Sequence, residues 1–358
     1  MRGPLLTAGV HERMLVGRRH GEQVLACSLD LGRSETQVEL GANEWRWHAG
    51  TYPYLERCRE RTIYHWTGAA FEPVARFGTS LLKLVPTDWG PPTFEIDGVK
   101  MLPTRQVSPY DDARRKVALI EPGGKRVLDT CAGLGYFAAW CLEGGASEVT
   151  SYEINPDVLW LRTLNPWSPA HGPRLKVVAG DISAAIRGLA DVSFDAILHD
   201  PPRFGLAGEL YSQVFYDELG RILKPRGRLF HYTGTPNRLT SGRDVPHEVE
   251  RRLRSAGFTT RTEGDGVLAV RGKSCGCSRP FRWKPSQPWS LNSKRWALRS
   301  WRRRFAPCCS VRRHASSTSC ICACARRVAS CASCAKCRLT RRRCCIRRCV
   351  ACTGPNGS

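Results

Sequence analysis

Two short segments of the chain carry residues whose types and spacing suit ligand binding and group transfer. The first, RVLDTCAGLGY at 126–136, is an apolar strand that ends on Asp129 and enters a turn with Gly133 and Gly135. Glycine lets the backbone approach a ligand closely, and the helix that follows aims its first amides at it. The second, HDPPR at 199–203, ends another apolar strand with an acid and two prolines. Both strand ends are therefore candidate ligand-binding positions.

The elements that must position these segments alternate between strand and helix. Ser108 and Pro109 predict a helix start, and Asn155 with Pro156 predicts another. Further helices are predicted over 136–142, 209–223 and 246–256, and strands over 126–129, 148–153, 175–179, 194–199, 227–232, 259–263 and 267–271. This alternation predicts an α/β fold with a doubly wound, mostly parallel sheet. Only three residues join the last two strands, which predicts a terminal antiparallel hairpin.

The first 107 residues have a different pattern. Short candidate strands are separated by Gly, Pro and Asn, at 23–29, 36–40, 45–48, 61–66, 80–85 and 93–96. Such spacing predicts a small β-rich N-terminal domain at 1–107, ahead of the main domain at 108–273. Trp45 and Trp47 fall on one face of a strand, where they either stack on a nucleic-acid base or, as we favour, cover a small core.

The positive charge of the chain is concentrated in its last 85 residues. The net charge is +23 over 358 residues, but residues 274–358 hold 20 Lys and Arg, no Asp or Glu, and 14 of the 18 Cys. This segment has no strand or helix periodicity, so we expect it to be unstructured or a reading-frame artefact. The alternatives are a metal site among its cysteines, which lacks an evident fourth ligand, or a disordered arm that binds nucleic acid.

The remaining 273 residues predict a cytoplasmic protein. They are nearly neutral and hold four scattered cysteines, which suits a reducing compartment and needs no disulfide framework. No apolar run reaches the length of a membrane span, so no membrane partner is expected. We predict no metal site.

The segments RVLDTCAGLGY and HDPPR look like the first and fourth motifs of a class I S-adenosylmethionine (SAM)-dependent methyltransferase. The glycines and Glu153, an acid placed to bind ribose hydroxyls, are shared with NAD enzymes. The acids Asp129 and Asp181 and the terminal hairpin favour SAM, Asp129 for the methionine ammonium and Asp181 for the adenine amino group. Either acid could instead cap the helix that follows it. The candidate cofactor contacts are Asp129, Thr130, Gly133, Gly135, Tyr136, Glu153, Ile154, Asp181 and Ile182.

A wider set of segments gives a more specific resemblance. IDGVKMLPT at 96–104, VLDTCAGLGY, LNPWS at 164–168, HDPPRFGLAGELYS from 199, LFHYTG at 229–234 and RLRSAGF at 252–258 occur in this order. They resemble the predicted archaeal methyltransferases labelled spermine/spermidine synthase-like. The resemblance covers about residues 96–273 and implies the SAM fold and methyl transfer, without a substrate.

The segment after the fourth strand predicts where the methyl acceptor binds. In methyltransferases that act on amino nitrogens, a D-P-P-aromatic loop accepts hydrogen bonds from the target NH2, which assigns that catalytic role to Asp200 and Pro201. Arg203 replaces the aromatic residue, and we expect it to stack on a base or bind an anion. Phe204, His231 and Tyr232 are candidate substrate contacts, although a strand-end histidine is more often simply hydrogen-bonded. No cysteine nucleophile stands at the next strand end, which excludes uracil C5 methylation.

The sequence therefore predicts methyl transfer to a nitrogen or other nucleophile of an RNA or a small polar substrate. One alternative is an aminopropyltransferase that uses decarboxylated SAM, against which we count the missing GGGDGG-type loop and the absence of an acidic cluster near the DPPR segment. Another is a SAM-fold binding module without catalysis. The sequence leaves the oligomeric state open.

Overall fold

The protein is described by a computed structural model that covers residues 3–203, 205, 207–234 and 244–272. These residues belong to one compact unit. Phe204 and the Arg- and Cys-rich segment at 274–358 lie outside the described residues. Within the described part of the chain, no helix has the length and apolar character needed to cross a lipid bilayer.

The N-terminal region forms three small antiparallel sheets and one helix. Helix α1 spans Ala8–Arg19, with Thr7 as its N-cap. The sheets have the orders β1-β6-β7, β2-β3-β4-β5 and β11-β10-β9-β8. Their strands are β1 Leu5–Leu6, β2 Val24–Cys27, β3 Thr36–Leu40, β4 Glu44–Trp47, β5 Gly50–Pro53, β6 Tyr64–Trp66, β7 Phe71–Pro73, β8 Ala75–Phe77, β9 Leu81–Val85, β10 Thr93–Ile96 and β11 Val99–Lys100. Trp45 is fully buried against Tyr52 and Phe71, as a core residue.

The second half of the described chain is built on a seven-stranded sheet with the order β14-β13-β12-β15-β16-β18-β17. Its strands are β12 Arg126–Asp129, β13 Glu148–Glu153, β14 Leu175–Ala179, β15 Phe194–His199, β16 Leu223–Tyr232, β17 Phe258–Glu263 and β18 Gly266–Arg271. Strands β12 to β16 are parallel, whereas β18 is antiparallel to both β16 and β17. This is the mostly parallel sheet with a terminal hairpin that the alternation predicts.

Helices cover both faces of this sheet. They are α2 Pro109–Ile120, α3 Tyr136–Glu143, α4 Pro156–Leu164, α5 Ile182–Ala185, α6 Gln213–Ile222 and α7 Val245–Ser255. Val127 packs in a core with α2, α3 and α4, and the next residue, Leu128, packs in a second core with α5, α6 and α7. The predicted helix over 209–223 is divided: a 3-10 turn at Gly208–Tyr211 comes first, and Ser212 then caps α6 by accepting a hydrogen bond from the Phe215 amide.

Contacts join the N-terminal sheets to the helices of the large sheet, across the predicted boundary at residue 107. The Trp167 indole donates a hydrogen bond of 3.0 Å to the Leu31 carbonyl. Arg76 lies 3.2 Å from a carboxylate oxygen of Asp157 and stacks 4.0 Å from the centre of the Trp160 ring. The N-terminal strands therefore pack directly on helix α4 and on the loop after it.

Candidate functional site

A glycine-containing loop connects the end of β12 to the start of α3. Gly133 and Gly135 have φ angles of 49° and 83°, in the left-handed region that favours glycine. The Gly133 amide donates a hydrogen bond of 2.9 Å to Glu153 Oε2, and the Asn155 amide donates one of 2.9 Å to Oε1. Glu153, at the end of β13, therefore fixes the loop against the carboxyl edge of the sheet.

Glu153 keeps further acceptor capacity, because each carboxylate oxygen can accept a second hydrogen bond. Burial raises its pKa, and the backbone amides that it accepts from oppose that shift. Its neighbour Ile154 is 67% exposed, which is unusual for a large apolar side chain. The pair presents a hydroxyl acceptor beside an apolar surface, which is the combination that a nucleoside needs.

Asp129, the last residue of β12, is fully buried. Its Oδ2 accepts a hydrogen bond of 3.0 Å from the Ser151 hydroxyl, whereas Oδ1 has no partner among the described residues. Burial raises the pKa of this carboxyl to about 7, against the opposing effects of the Ser151 hydroxyl, Arg162 and the Cys131 backbone amide. Asp129 does not cap α3, because Gly135 occupies the N-cap position. A buried acceptor without a partner suits a cationic donor.

Arg162, which the sequence analysis missed, lies beneath the same loop. It is 6% exposed, and both Nη atoms lack hydrogen-bond partners in the described part of the chain. A Cβ atom on Gly135 would lie 2.6 Å from Arg162 Cζ, so only glycine leaves room for the guanidinium. The signal was present in the helical spacing, because Val158, Leu161 and Arg162 share the buried face of α4.

Thr130 and Tyr136, two candidate cofactor contacts, have side chains that are hydrogen-bonded within the core. Thr130 Oγ1 lies 2.7 Å from His199 Nδ1 in the buried interior. The Tyr136 hydroxyl donates a hydrogen bond of 2.7 Å to the Pro92 carbonyl and accepts one of 3.1 Å from the Asn165 amide. These side chains are therefore not available as polar cofactor contacts.

The Asp181–Ile182 pair follows β14. Asp181 is the N-cap of α5: its Oδ1 accepts a 2.7 Å hydrogen bond from the Ser183 amide, and its Oδ2 accepts one of 2.8 Å from the Ser183 hydroxyl. The capping alternative is thus observed, and contact with an adenine amino group stays a prediction for this exposed carboxylate. Ile182 is 4% exposed and packs in the core, and its contact with a cofactor stays a prediction.

Asp200 follows β15 and meets a buried lysine. Lys116, from α2, is 2% exposed, and its Nζ lies 2.7 Å from Asp112 Oδ2, 3.7 Å from Asp200 Oδ2 and 3.9 Å from Asp265 Oδ2. Burial raises the pKa of Asp200 to about 6, and Lys116 opposes that shift. Lys116 also lies 3.9 Å from the centre of the Tyr232 ring. Lys116 therefore contacts both Asp200 and Tyr232, the second of which is a predicted substrate contact.

The expectation that no acidic cluster lies near the DPPR segment is wrong. Asp112 and Asp265 come from α2 and from the turn before β18, and both face Lys116 together with Asp200. Arg115 adds a second cation, 2.9 Å from Asp112 and 2.8 Å from Asp265. Three carboxylates and two cations thus form a charge cluster at this strand end.

The rest of the DPPR segment is divided between core and solvent. Pro201 is buried, Pro202 and Arg203 are exposed, and the Pro202 carbonyl accepts a hydrogen bond of 3.1 Å from the Tyr211 hydroxyl. Arg203 is exposed to solvent, and its contact with a base or an anion stays a prediction.

His231, a candidate substrate contact, lies in the core. It is fully buried, with Nε2 2.9 Å from the Tyr216 hydroxyl and Nδ1 2.8 Å from the Tyr232 carbonyl. Burial lowers its pKa to about 4, so it is neutral at pH 7. Both ring nitrogens are already hydrogen-bonded, which favours the structural alternative over contact with a substrate.

Replacing Tyr216 by phenylalanine tests this assignment of His231. The change leaves a buried ring nitrogen without a donor, which should lower the free energy of unfolding by about 1–3 kcal/mol. Urea denaturation measures the loss, and Tyr54→Phe, which removes an exposed hydroxyl, is the matched control. Activity per folded molecule should not change; a large loss of activity with normal stability would return His231 to the substrate site.

Comparison with known proteins gives relatives of two kinds. No family model matches the chain. An uncharacterized protein of Methanocaldococcus jannaschii is 46% identical over 194 residues, which is 53% of this chain and 66% of that protein. The polyamine aminopropyltransferase 2 of Streptomyces coelicolor is 32% identical over 137 residues, 35% of this chain and 25% of that protein. The chain thus spans less than two thirds of the length of each.

The similar solved structures include a spermidine synthase and a SAM-dependent methyltransferase. A spermidine synthase in complex with the transition-state analogue AdoDATO has a TM-score of 0.46 and 17% identity, over 58% of this chain and 78% of that one. A SAM-dependent methyltransferase from Mesorhizobium loti has a TM-score of 0.35 and 16% identity, over 45% of this chain and 98% of that one. These values are too low to indicate an activity, and the strand order described above carries the resemblance to the class I fold.

Proposed function

We propose that this protein is a SAM-dependent methyltransferase that acts on a nitrogen or other nucleophile of an RNA or a small polar substrate. The observation that carries the proposal is Asp129, a buried carboxylate with one unpartnered oxygen, beside a glycine loop that Glu153 fixes in place. A cofactor with a cationic amino group and a ribose complements both residues. In the proposed site, Asp129 accepts from the ammonium, Glu153 from the ribose hydroxyls, and Ile154 covers the base.

SAM, when bound, supplies an electrophilic methyl group on a sulfonium. The task left to the protein is to position the acceptor. We assign that task to Asp200, whose pKa of about 6 leaves it ionised at pH 7 and able to accept a hydrogen bond from the acceptor N–H. The Pro201 carbonyl is proposed as the second acceptor, and the exposed Arg203 is proposed to bind an anionic part of the substrate.

A second candidate is aminopropyl transfer from decarboxylated SAM. The observation that favours it is the cluster of Asp112, Asp200 and Asp265, because carboxylates attract the charged amines that accept an aminopropyl group. Lys116 and Arg115 already offset two of these charges, which is why we place this function second. The similarity to a Streptomyces aminopropyltransferase supports it over a short part of the chain only.

Incubation with labelled donors separates the two functions. Tritiated-methyl SAM and cell extract, later fractionated into RNA, protein and metabolites, should give label in RNA or in small polar molecules. Incubation of the protein with decarboxylated SAM and putrescine or spermidine should not produce a polyamine extended by an aminopropyl group. The reverse pattern would establish aminopropyl transfer instead.

Replacing Glu153 by alanine tests the cofactor site. The change removes a charged acceptor from two hydroxyls, so SAM binding should weaken about 10- to 150-fold, corresponding to about 1.5–3 kcal/mol. Titration calorimetry measures the affinity. Glu148→Ala is the control, because Glu148 lies at the opposite end of the same strand and pairs with Arg126 at 3.1 Å. Identical titrations for Glu153→Ala and the unaltered protein would remove Glu153 from the site.

A further inference from the structure

We propose that Arg162 binds the carboxylate of the methionine group of SAM and thereby selects SAM over decarboxylated SAM. The inference rests on the proposed function and deepens it, because this carboxylate is the chemical difference between the two donors. Nothing in the DPPR segment or the glycine pattern makes that distinction.

The Arg162 guanidinium is buried without hydrogen-bond partners for its Nη atoms. Arg162 is 6% exposed, and neither Nη atom has a hydrogen-bond partner among the described residues. An arginine carries five N–H donors in a planar fork that matches a carboxylate, and leaving buried donors unpaired is costly. A buried fork of this kind is therefore suited to an anion that the described residues do not supply.

The carboxylates nearest to Arg162 do not pair with its guanidinium. Asp129 and Glu153 both stabilise the Arg162 charge, against the burial that lowers its pKa. Neither forms an ion pair with it in the part of the chain that the structure describes. Both Glu153 oxygens accept backbone amides, and Asp129 Oδ2 accepts from Ser151. The Arg162 charge is thus compensated, but its two Nη atoms remain without hydrogen-bond partners among the described residues.

Arg162 lies against the glycine loop, and together with Asp129 it complements the charges of an amino-acid group. Arg162 Cζ lies 2.6 Å from the position of a Cβ on Gly135, directly against the glycine loop. Asp129, whose charge Arg162 senses, has in Oδ1 a buried acceptor without a partner among the described residues. An open acceptor and an open cationic fork together complement an amino-acid group, which offers one ammonium and one carboxylate. Decarboxylated SAM offers the ammonium alone and would leave Arg162 unpaired.

Calorimetric titration of the full chain with SAM and with decarboxylated SAM tests the inference. The unaltered protein should bind SAM about 10- to 100-fold more tightly, the scale of a charge-assisted bidentate contact. Arg162→Gln should remove that preference by weakening SAM alone. Arg162→Lys keeps the charge beside Asp129 and Glu153 but loses the fork, and should give an intermediate loss; it also serves if Arg162→Gln does not fold. Glu148→Ala, whose carboxylate pairs with Arg126 at the far end of β13, is the control and should leave both affinities unchanged.

The outcomes separate this inference from the function on which it rests. Equal affinity for both donors, or equal weakening of both in Arg162→Gln and Arg162→Lys, would make Arg162 a structural counter-charge and overturn the inference while SAM binding stands. Tighter binding of decarboxylated SAM would overturn both. Failure of both donors to bind would overturn the proposed function itself.

Discussion

Replacing Asp200 by asparagine should lower the rate of methyl transfer about 100-fold, the scale of a lost positioning contact. The amide keeps the size of the side chain but removes the charge that orients the acceptor nitrogen. SAM affinity should stay nearly unchanged, since Asp129 and Glu153 are untouched. Initial rates at saturating SAM, together with calorimetric titration, separate the two effects. Asp195→Asn is the control, because Asp195 lies near the other end of β15 and pairs with Lys224.

The pH dependence gives a second test of Asp200. Its pKa is raised to about 6, chiefly by burial, so the carboxylate is ionised at pH 7 and becomes protonated as the pH falls through 6. The transfer rate of the unaltered protein should therefore fall on the acid side of pH 6, and Asp200→Asn should lose this dependence. A full rate in Asp200→Asn with normal SAM binding would leave DPPR as a structural turn.

Replacing Lys116 by methionine should destabilise the protein by about 3–5 kcal/mol, because it leaves the buried carboxylate of Asp112 and the partly exposed ones of Asp200 and Asp265 without their central cation. Lys116 is 2% exposed and contacts Asp112 at 2.7 Å. Lys224→Met is the matched control, since Lys224 contacts Asp195 at the same 2.7 Å but is 40% exposed. Exposed pairs contribute about 0–1 kcal/mol. If urea denaturation shows the same loss in free energy of unfolding for Lys116→Met and Lys224→Met, the buried lysine has no special role in stability.

Lys116 should also set the pH range of activity. Its charge opposes the upward shift of the Asp200 pKa, so its removal should raise that pKa above 6. The acid fall in the transfer rate should then move to higher pH in whatever Lys116→Met protein remains folded. An unchanged pH profile would show that Asp200 does not sense Lys116 during transfer.

The order of elements in the large sheet was predictable because its signals are local. Ser108 and Asn155 cap α2 and α4 as their positions indicate, and a turn of three residues leaves β17 and β18 only an antiparallel pairing. Helix α1 was missed because it has a weakly amphipathic pattern in a region that otherwise resembles strands. The division before α6 was missed because the apolar pattern continues on both sides of Ser212, and the spacing alone does not show that Ser212 caps a new helix.

The site was predictable only where strand ends determine position. Asp129, Glu153 and Asp200 each end or follow a parallel strand, so they gather at one edge of the sheet. The partners Asp112, Lys116 and Asp265 meet Asp200 through tertiary packing of α2 and the terminal hairpin, for which spacing gives no rule. His231 and Thr130 show the converse, because residues next to a predicted site became part of the core instead.

The hydrogen bond from Tyr136 to the Pro92 carbonyl has a thermodynamic consequence. Tyr136 is the first residue of α3, directly after the glycine loop, and Phe94 lies 3.7 Å from the position of a Cβ on Gly133. Ordering of that loop by a ligand and folding of the N-terminal sheets are therefore linked equilibria, and each stabilises the other. The N-terminal strands thus form one wall of the glycine loop, and the affinity of the proposed cofactor should include the stability of residues more than 35 positions away in the chain.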